Sequence, residues 1–480
     1  MAQDFLNSIP VILHVVVAPL SAGHALLHKR DPKSAFGWIA VCLIFPLVGP
    51  FLYFVFGINR VHTRARKLGP IRPYRFGVGY ETDTGGKPRQ CVLNCPPESV
   101  ALGRVSEAVT RRPLVAGNQV IALHNGEEAY PQMLEAIEHA RHSLYMATYI
   151  FETNATGLRF MDALAGAQAR GVDVRMLIDG AGEYYSFRRV GTLLRKRGIK
   201  FSRFLPPRLF PPTFNINLRN HRKVLVADRC IGFTGGMNIG DRHLAQNSDN
   251  PSRVVDLHFR LEGPVVEQLE GAFLEDWLFA SGEEVIPPGE IHCAAREDGL
   301  CCRTITDGPN EDLDKLAMIL LGAVSSARSR VLIMTPYFLP SREMIGALQV
   351  AALRGVEVVV ILPERSNLPF VHWATQNMLW ELLQWGARVY HRPAPFAHSK
   401  LFVVDDHYGL IGSANMDPRS LRLNFELAVE IHGKSFAEAM GAHIEAVRQV
   451  SQEVTVDALE RRPLGIRVRD ALAWLFSPYL

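Results

Sequence analysis

A doubled motif constrains this chain more than any other feature of its sequence. Each copy has a His, a Lys two residues later, a short apolar run, an Asp, two small residues and an Asn. The copies supply them in the same order: His221, Lys223, Asp228 and Asn238, then His398, Lys400, Asp405 and Asn415. Alternate side chains of a strand share a face, so each His and Lys should project together, while each Asp should point away and tie backbone segments together.

The chemistry of the repeated residues indicates phosphodiester transfer without a metal. A neutral imidazole can attack phosphorus while a second, protonated imidazole on the opposite side protonates the leaving oxygen. The Lys and Asn side chains would hold the non-bridging oxygens as charge develops. One copy of the motif cannot supply both imidazoles, so we expect the two copies to converge on one site.

Small residues close each copy of the motif. These pairs are Gly235-Gly236 and Gly412-Ser413. They predict a tight turn that returns the Asn to the same end of the strands. The copies differ at one point, because Gly236 lacks the hydroxyl donor that Ser413 provides.

Both copies resemble the HKD motif of the phospholipase D superfamily. The second continues as SANMDPRSLRLNFE (413–426), and with its apolar N-terminus the chain closely resembles bacterial cardiolipin synthases over nearly its whole length. The resemblance implies an α/β fold with two pseudo-symmetric βα domains and the active site between them. It also implies that the His, Lys and Asp of each copy are catalytic and that Asn238 and Asn415 bind substrate phosphate.

The resemblance further implies a carboxylate to orient each catalytic imidazole. Glu426 follows the second motif and Asp256 follows the first; a structural salt bridge is the alternative reading for either residue. His258, in an alternating strand pattern, is expected to be a packed or surface histidine. Arg419 is a candidate for binding a headgroup phosphate.

An internal repeat explains why the motif is doubled. Strand, helix and strand patterns occur in the same order in both halves, and residues 169–174 match 353–358 almost residue for residue. The predicted elements are strands 144–149, 172–179, 331–335 and 356–363 and helices 158–170 and 344–354. We predict a membrane anchor at 1–60, a basic segment and linker at 61–112, and phospholipase D-like domains at 113–295 and 296–480.

Two apolar stretches near the N-terminus, residues 5–28 and 35–58, contain no Asp, Glu, Lys or Arg. Each is long enough to cross a bilayer, which takes about 20 apolar residues, so we predict a transmembrane helical hairpin. No basic residue precedes the first stretch, which disfavours a cleaved signal peptide. A buried soluble hairpin is the other alternative, and the Pro and Gly residues of 45–50 disfavour it.

Basic residues beside these stretches predict their orientation. Those after the second stretch are Arg60, Arg64, Arg66, Lys67, Arg72 and Arg75; those in the turn are Lys29, Arg30 and Lys33. Because the larger cluster stays in the cytoplasm, the chain should be a multi-pass protein of the bacterial inner membrane with its catalytic domains on the cytoplasmic side. The larger cluster could also hold anionic headgroups, or set topology alone.

Cysteine usage and charge argue against several other functions. The 7 Cys form no CxxC pair, so we predict neither a disulfide framework nor a zinc site, and expect free thiols in a reducing compartment. Cys91 and Cys95 with His124 make only a weak metal candidate. The net charge of +4 demands no nucleic-acid partner. We expect no metal and no cofactor.

Three further segments leave alternatives open. Residues 201–218, rich in Phe and Pro, either pack under a lid of the site or dip into the bilayer surface. Residues 461–476 mix Arg with apolar residues at helical spacing, so they either lie on the membrane or pack against the catalytic domain. Residues 76–110 are predicted to be a linker or an irregular cap, and we assign them no chemistry.

By resemblance, the activity is condensation of two phosphatidylglycerols into cardiolipin and glycerol through a phosphatidyl-histidine. His221 is the expected nucleophile, because the superfamily more often uses its N-terminal motif, and His398 the expected acid and base. Attack by water would instead make a phospholipase D, and phosphatidylethanolamine or another alcohol is an alternative acceptor. A nuclease would need a basic groove, and a catalytically dead scaffold would have lost a motif residue.

Overall fold

The computed structural model describes residues 2–29, 32–58, 99–186, 188–207, 218–287, 293, 295–308 and 314–477. The chain divides into two compact units. The smaller contains the N-terminal helices, and the larger contains the α/β part of the chain with both copies of the motif.

The N-terminal unit is helical. It comprises α1 (Ala2–His28), α2 (Pro32–Ile44), α3 (Val48–Leu52) and a π-helical turn (Tyr53–Gly57). Ala25, Cys42 and Tyr53 are buried in a small cluster among these helices. The second apolar stretch is broken between α2 and α3, where Pro46 lacks the N–H that a continuous helix needs.

The predicted helices are therefore present, but the predicted pair of membrane spans is not confirmed. Over the described residues, no helix has both the length and the hydrophobicity that crossing a bilayer requires. The basic residues predicted to set the topology lie mostly outside the described residues, as do Cys91, Cys95 and the centre of the Phe- and Pro-rich loop.

The first half of the α/β unit runs from α4 to α8. Its elements are α4 (Ser99–Thr110), β1 (Val115–His124), α5 (Asn125–His139), β2 (Ser143–Thr148), α6 (Ala155–Ala169), β3 (Asp173–Asp179), α7 (Val190–Lys196), β4 (Lys200–Phe204), β5 (Val224–Ala227), β6 (Ile231–Gly235), β7 (Val254–Val255), β8 (Leu257–Glu262) and α8 (Val265–Ser281). Two short 3-10 turns, Gly182–Tyr185 and Asp241–His243, interrupt the loops.

The second half repeats this order. Its elements are β9 (Leu300–Asp307), α9 (Lys315–Ser326), β10 (Arg330–Met334), α10 (Arg342–Leu353), β11 (Glu357–Pro363), α11 (Pro369–Leu383), β12 (Arg388–Arg392), β13 (Phe396–Ala397), β14 (Leu401–Val404), β15 (Tyr408–Gly412), α12 (Pro418–Arg422), β16 (Glu426–His432), α13 (Lys434–Gln449), β17 (Gln452–Val454), α14 (Val456–Glu460) and α15 (Leu464–Leu475). The four strands and two helices predicted from the sequence are all present, with ends shifted by at most three residues.

One continuous sheet joins the two halves. Its strand order is β17-β12-β11-β10-β14-β15-β16-β9-β1-β8-β6-β5-β2-β3-β4. β1 and β9 pair antiparallel at the centre of this sheet. Counted outward from them, equivalent strands of the two halves follow in the same order as far as β4 on one side and β12 on the other. This matches the pseudo-two-fold arrangement that the internal repeat predicts, and it places β5 and β14, which follow the two histidines, at equivalent positions.

Burial explains why both motif strands are purely apolar. Every residue of β5 and β14 is buried, because helices cover both faces of the sheet. One face of the first half packs under α5 and α6, and one face of the second half under α9 to α11. On the other face, α8 and α13 share a core to which both halves contribute.

The expectation of free thiols is wrong for one pair. Cys230 and Cys293 form a disulfide with a Cα–Cα separation of 5.3 Å. Their sequence separation of 63 residues and the lack of any spacing pattern gave no sign of the pairing. The structure brings them together because Cys230 lies in the tight turn between β5 and β6, beside the segment that follows α8.

Candidate active site

Each catalytic-type histidine is fixed by backbone pairing with the other half of the chain. The N–H of His221 donates to the carbonyl of Phe425 at 2.9 Å, and the N–H of His398 donates to the carbonyl of Val255 at 2.8 Å. β13, directly before His398, pairs in parallel with β7 of the first half. The two histidines therefore depend on the contact between halves for their position.

The two imidazoles open on the same cavity, which has a volume of about 930 Å³. His221 and His398 both line it, as do Asn238 and Asn415. Both imidazoles are largely buried, with only 12% of each side chain exposed. The convergence of the two motif copies on one site, predicted from their repetition, is thus present in the structure.

The carboxylates that contact the imidazoles are exchanged between the halves. Nδ1 of His221 lies 3.1 Å from Oε2 of Glu426, and Nδ1 of His398 lies 3.0 Å from Oδ2 of Asp256. Along the sequence each carboxylate follows the histidine of its own motif, but in space it serves the histidine of the other. The exchange follows from the pairing of β13 with β7 and of Asn220 with Phe425, which carries each histidine across.

Hydrogen bonding fixes the proton on the ring of His221. Its Nδ1 faces two acceptors, Oε2 of Glu426 and the carbonyl of Ser413 at 3.2 Å. Nδ1 must therefore carry the hydrogen, which leaves the lone pair of the neutral ring on Nε2. Burial and the charges of Lys223 and Lys400 hold the pKa of His221 well below its ordinary value.

Burial also acts on the second imidazole. Burial, followed by the charge of Lys400, lowers the pKa of His398 to about 4, although the bond to Asp256 opposes this. Lys400 Nζ lies 3.1 Å from Nε2 of the ring and is a proton donor within reach.

The two carboxylates differ in pKa. Burial favours the neutral form of Asp256, yet the hydrogen bond from His398 and the charges around it hold the pKa at about 2. Burial raises the pKa of Glu426 to about 7, against the charge of Lys223. A fully ionised carboxylate therefore supports His398, whereas the carboxyl beside His221 is only partly ionised near neutral pH.

Each lysine contacts the histidine of its own motif. Nζ of Lys223 donates to the carbonyl of His221 at 2.7 Å, and Nζ of Lys400 donates to the carbonyl of His398 at 2.6 Å. Burial lowers the pKa of Lys223 to about 7 and that of Lys400 to about 8. An anionic phosphate in the cavity would favour their charged forms.

Asp228 and Asp405 do not reach the cavity. Asp228 accepts hydrogen bonds from the backbone N–H groups of residues 141–143, and Asp405 does the same for residues 328–330. They tie the start of β2 and β10 to the turn after β5 and β14, as the odd spacing from each His predicts. The catalytic role that the family resemblance implies for them is therefore indirect.

The small residues of the turns have different partners in the two halves. Ser413 Oγ donates to Oε2 of Glu426 at 2.5 Å. At the matching position, a Cβ on Gly236 would lie 2.6 Å from Oδ2 of Asp256, so no side chain fits there. The lost hydroxyl noted in the sequence is thus replaced by a closer approach of the carboxylate.

The two asparagines have different bonds at equivalent places. Asn238 accepts from the N–H of Ile150 at 3.1 Å, and Asn415 donates from Nδ2 to Ser420 Oγ at 3.0 Å. The Oδ1 of Asn415 is buried without a hydrogen-bond partner. His258, a residue of β8, is buried and does not line the cavity, as expected for a packed histidine.

The cavity wall contains cationic and aromatic residues that the sequence analysis largely missed. Arg419, a predicted candidate, lines the cavity with Arg219, Arg242, Arg253, Arg365, Tyr149, Tyr185 and Tyr337. The ring of Tyr149 meets that of His221 edge-on at 5.2 Å between centroids. Of the missed residues, only Arg219 could have been found from the sequence, because it lies two residues before His221. No group of three or more His, Cys, Asp and Glu side chains suited to a metal occurs within the described ranges.

Family models match most of the chain. Residues 133–277 and 320–448 match the model "Cardiolipin synthase, PLD-like domain", and residues 11–57 match "Phospholipase_D-nuclease N-terminal". Together with the doubled His-x-Lys site, this defines a protein with two phospholipase D-like domains in one chain.

Similar proteins identify the family within the phospholipase D-like class. The chain is 31% identical to "Cardiolipin synthase A" of Pseudomonas putida (strain GB-1), over 96% of this chain and 96% of that protein. It is 29% identical to "Major cardiolipin synthase ClsA" of Bacillus subtilis (strain 168), over 100% of this chain and 99% of the relative. The chain belongs to the cardiolipin synthase family.

A solved structure agrees with the fold. The crystal structure of phosphatidylserine synthase from Haemophilus influenzae Rd KW20 aligns with a TM-score of 0.62 at 16% identity, over 79% of this chain and 100% of that one. At this identity the likeness concerns the arrangement of strands and helices only.

Proposed function

We propose that this protein condenses two phosphatidylglycerols into cardiolipin and glycerol through a phosphatidyl-histidine intermediate. The observation that carries the proposal is the pair of exchanged imidazole-carboxylate contacts, which open on one cavity. Two imidazoles with different carboxylate partners can divide the roles of nucleophile and acid. Family membership favours lipid substrates.

In the first step, Nε2 of His221 attacks the phosphorus of the donor lipid. The bond from phosphorus to the glycerol headgroup oxygen breaks, and His398 gives that oxygen a proton. His221 suits the nucleophile because its neutral ring presents a lone pair on Nε2. His398 suits the acid because the ionised Asp256 stabilises its imidazolium. Entry of the anionic phosphate raises the pKa of His398, and Lys400 lies within reach to supply the proton.

In the second step, a hydroxyl of a second phosphatidylglycerol transfers its proton to His398 and attacks the phosphorus. The phosphorus-nitrogen bond breaks, which releases cardiolipin and restores neutral His221. His398 then returns the proton to Lys400, while Lys223, Asn238 and Asn415 would hold the non-bridging oxygens in both steps. The cavity of about 930 Å³ and its arginines suit two anionic headgroups.

Product analysis with purified protein tests this reaction. Phosphatidylglycerol alone should give cardiolipin and glycerol in equal amounts. Phosphatidic acid as the main product would replace the transferase by a hydrolase, and a requirement for phosphatidylethanolamine would change the acceptor. In cells, His221→Ala and His398→Ala should both abolish product while the protein stays in the membrane.

We further propose that the N-terminal helices anchor the protein in the bacterial inner membrane, with the catalytic domains in the cytoplasm. The support is the charge-free stretches 5–28 and 35–58 and the larger basic cluster after the second. Protease added to intact spheroplasts should leave the catalytic domains uncut and should digest them only after the membrane is permeabilised. Digestion in intact spheroplasts would instead place the catalytic domains on the outer side.

A further inference from the structure

The outward face of α15 is apolar. Leu464 and Leu472 are 74% and 54% exposed, and Val468, Leu475 and Phe476 are exposed beside them. At 3.6 residues per turn these side chains fall on one side of the helix. A helix on a soluble surface normally shows its polar side outward, so α15 has the reverse arrangement.

The inward face of the same helix holds its only carboxylate. Asp470 is 0% exposed, and it accepts hydrogen bonds from Arg462 Nη1 and Arg469 Nη2, both at 2.7 Å. Ala473 is buried beside it. Because the polar contacts of α15 are made inward, its orientation is fixed with the leucines facing out.

Cations border the apolar face. Arg461 and Arg467 are exposed, and the guanidinium of Arg469 lies 4.4 Å from the centroid of the Trp373 ring. No acidic side chain lies between Arg461 and the last described residue except Asp470, which is neutralised inside. This pattern of an apolar strip edged by arginines complements an anionic bilayer, in which arginine stems extend along the hydrocarbon boundary.

The surface around α15 continues to the cavity. α15 packs against α11, and Arg462 Nη2 donates to the carbonyl of Gln376 on α11 at 3.3 Å. The start of α11 reaches the cavity, where Leu368 and Phe370 line the opening and are exposed. A bilayer that contacts α15 would therefore lie against the element that borders the site.

We propose that α15 lies flat on an anionic membrane surface, with Leu464, Val468 and Leu472 in the interface and the flanking arginines at the phosphates. The helix would hold α11 and the cavity opening against the lipid that supplies substrate. This surface serves the proposed lipid reaction, but its contact with lipid is measurable without any turnover.

Depth-dependent quenching tests the contact in the full-length chain. An environment-sensitive fluorescent amino acid replaces Leu472 or, as the control, Val450, which is 65% exposed at the end of α13 on the opposite face of the sheet. In vesicles of phosphatidylglycerol, quenching by brominated lipid should be at least about threefold stronger at 472 than at 450. Equal quenching at both sites, or none at 472, overturns the proposal.

A charge variant gives a second readout. Leu472→Glu should lower the rate on vesicles by about tenfold and the rate on detergent-dispersed phosphatidylglycerol by less than about twofold, with an unchanged melting temperature. Equal losses on both substrates would remove the membrane role. A second copy of this chain could instead cover the face. In that case the 472 probe would be shielded from aqueous quenchers in detergent without lipid, a photo-cross-linking residue at 472 would join two copies, and the proposal would fail.

Discussion

Nδ1 of His221 lies 3.1 Å from Oε2 of Glu426, a carboxylate 205 residues later in the chain. The matching contact, from His398 to Asp256, spans 142 residues in the opposite direction. Each half therefore completes the imidazole of the other, and neither half has an oriented histidine by itself. The duplication thus produces one site whose two imidazoles depend on the contact between halves.

The roles proposed for the histidines predict different responses to an activated donor. A phosphatidyl ester of p-nitrophenol has a leaving group that departs without a proton, so it bypasses the general acid. His398→Ala should release a burst of about one p-nitrophenol per enzyme, whereas His221→Ala should release none. Rapid-mixing absorbance measures the burst. The reverse pattern would exchange the nucleophile and the acid.

Asp256→Asn should impair the reaction far more with the natural lipid than with the activated one. Asp256 is ionised at every pH above its pKa of about 2, and its charge stabilises the imidazolium form of His398. Its loss should lower kcat on phosphatidylglycerol by about 10²- to 10⁴-fold. The p-nitrophenol burst should keep most of its amplitude. Equal losses on both donors would mean that Asp256 holds the site together and does not support the acid.

Sequence reasoning succeeded where the repeat carried the information. The strands of both motifs and the backbone-binding role of Asp228 follow from residue spacing within one half. The exchange of Glu426 and Asp256 does not, because it depends on which half each histidine-bearing segment pairs with. The same limit applies to Cys230 and Cys293, which meet only after β5, β6 and α8 have packed.

The asymmetry at the turns was visible in the sequence, but its cause was not. Gly236 and Ser413 differ because one carboxylate lies against the backbone and the other against a hydroxyl. Cavity residues such as Tyr149 and Arg365 also carried no local pattern, since distant loops bring them to the wall.

Gly236→Ala should damage the site more than its small size suggests. The new Cβ would lie 2.6 Å from Asp256 Oδ2, so the carboxylate must move away from His398. We expect kcat to fall by about 30-fold or more, within the range for displaced catalytic groups. Gly346→Ala is the matched control, because no atom lies within 4 Å of a Cβ there. On α10 it should leave activity unchanged and raise stability by about 1 kcal/mol or less. Retained activity in Gly236→Ala would contradict the proposed contact.

The buried lysines predict an alkaline limit to activity. A lysine is charged below its pKa, and the pKa values of Lys223 and Lys400 are about 7 and 8. As pH rises past these values the free site loses the ammonium groups that bind phosphate. The value of kcat/KM should then fall by about tenfold per pH unit between about 7 and 8, and by up to about a hundredfold per unit above about 8. Bound phosphate favours the charged lysines, so kcat should fall at higher pH than kcat/KM.

Lys400→Arg distinguishes the contributions of the two lysines to the dependence of kcat/KM on pH. A guanidinium stays charged across the range, so the variant should be slower but should lose the part of the alkaline fall due to position 400. An unchanged profile would assign the alkaline limit to another group.

Asp228 should prove structural, and two substitutions distinguish its roles. Its carboxylate accepts three backbone N–H bonds, and its φ of 50° lies in the left-handed region, which Asn tolerates better than Ala does. Asp228→Asn should lower the free energy of unfolding by about 1 to 3 kcal/mol by weakening these bonds, and Asp228→Ala should add about 1 kcal/mol of backbone strain. Denaturant unfolding measures both. Per folded molecule, kcat/KM should stay within about threefold of the parent, because no atom of Asp228 reaches the cavity. A loss like that of His221→Ala, at unchanged stability, would instead place Asp228 in the chemistry.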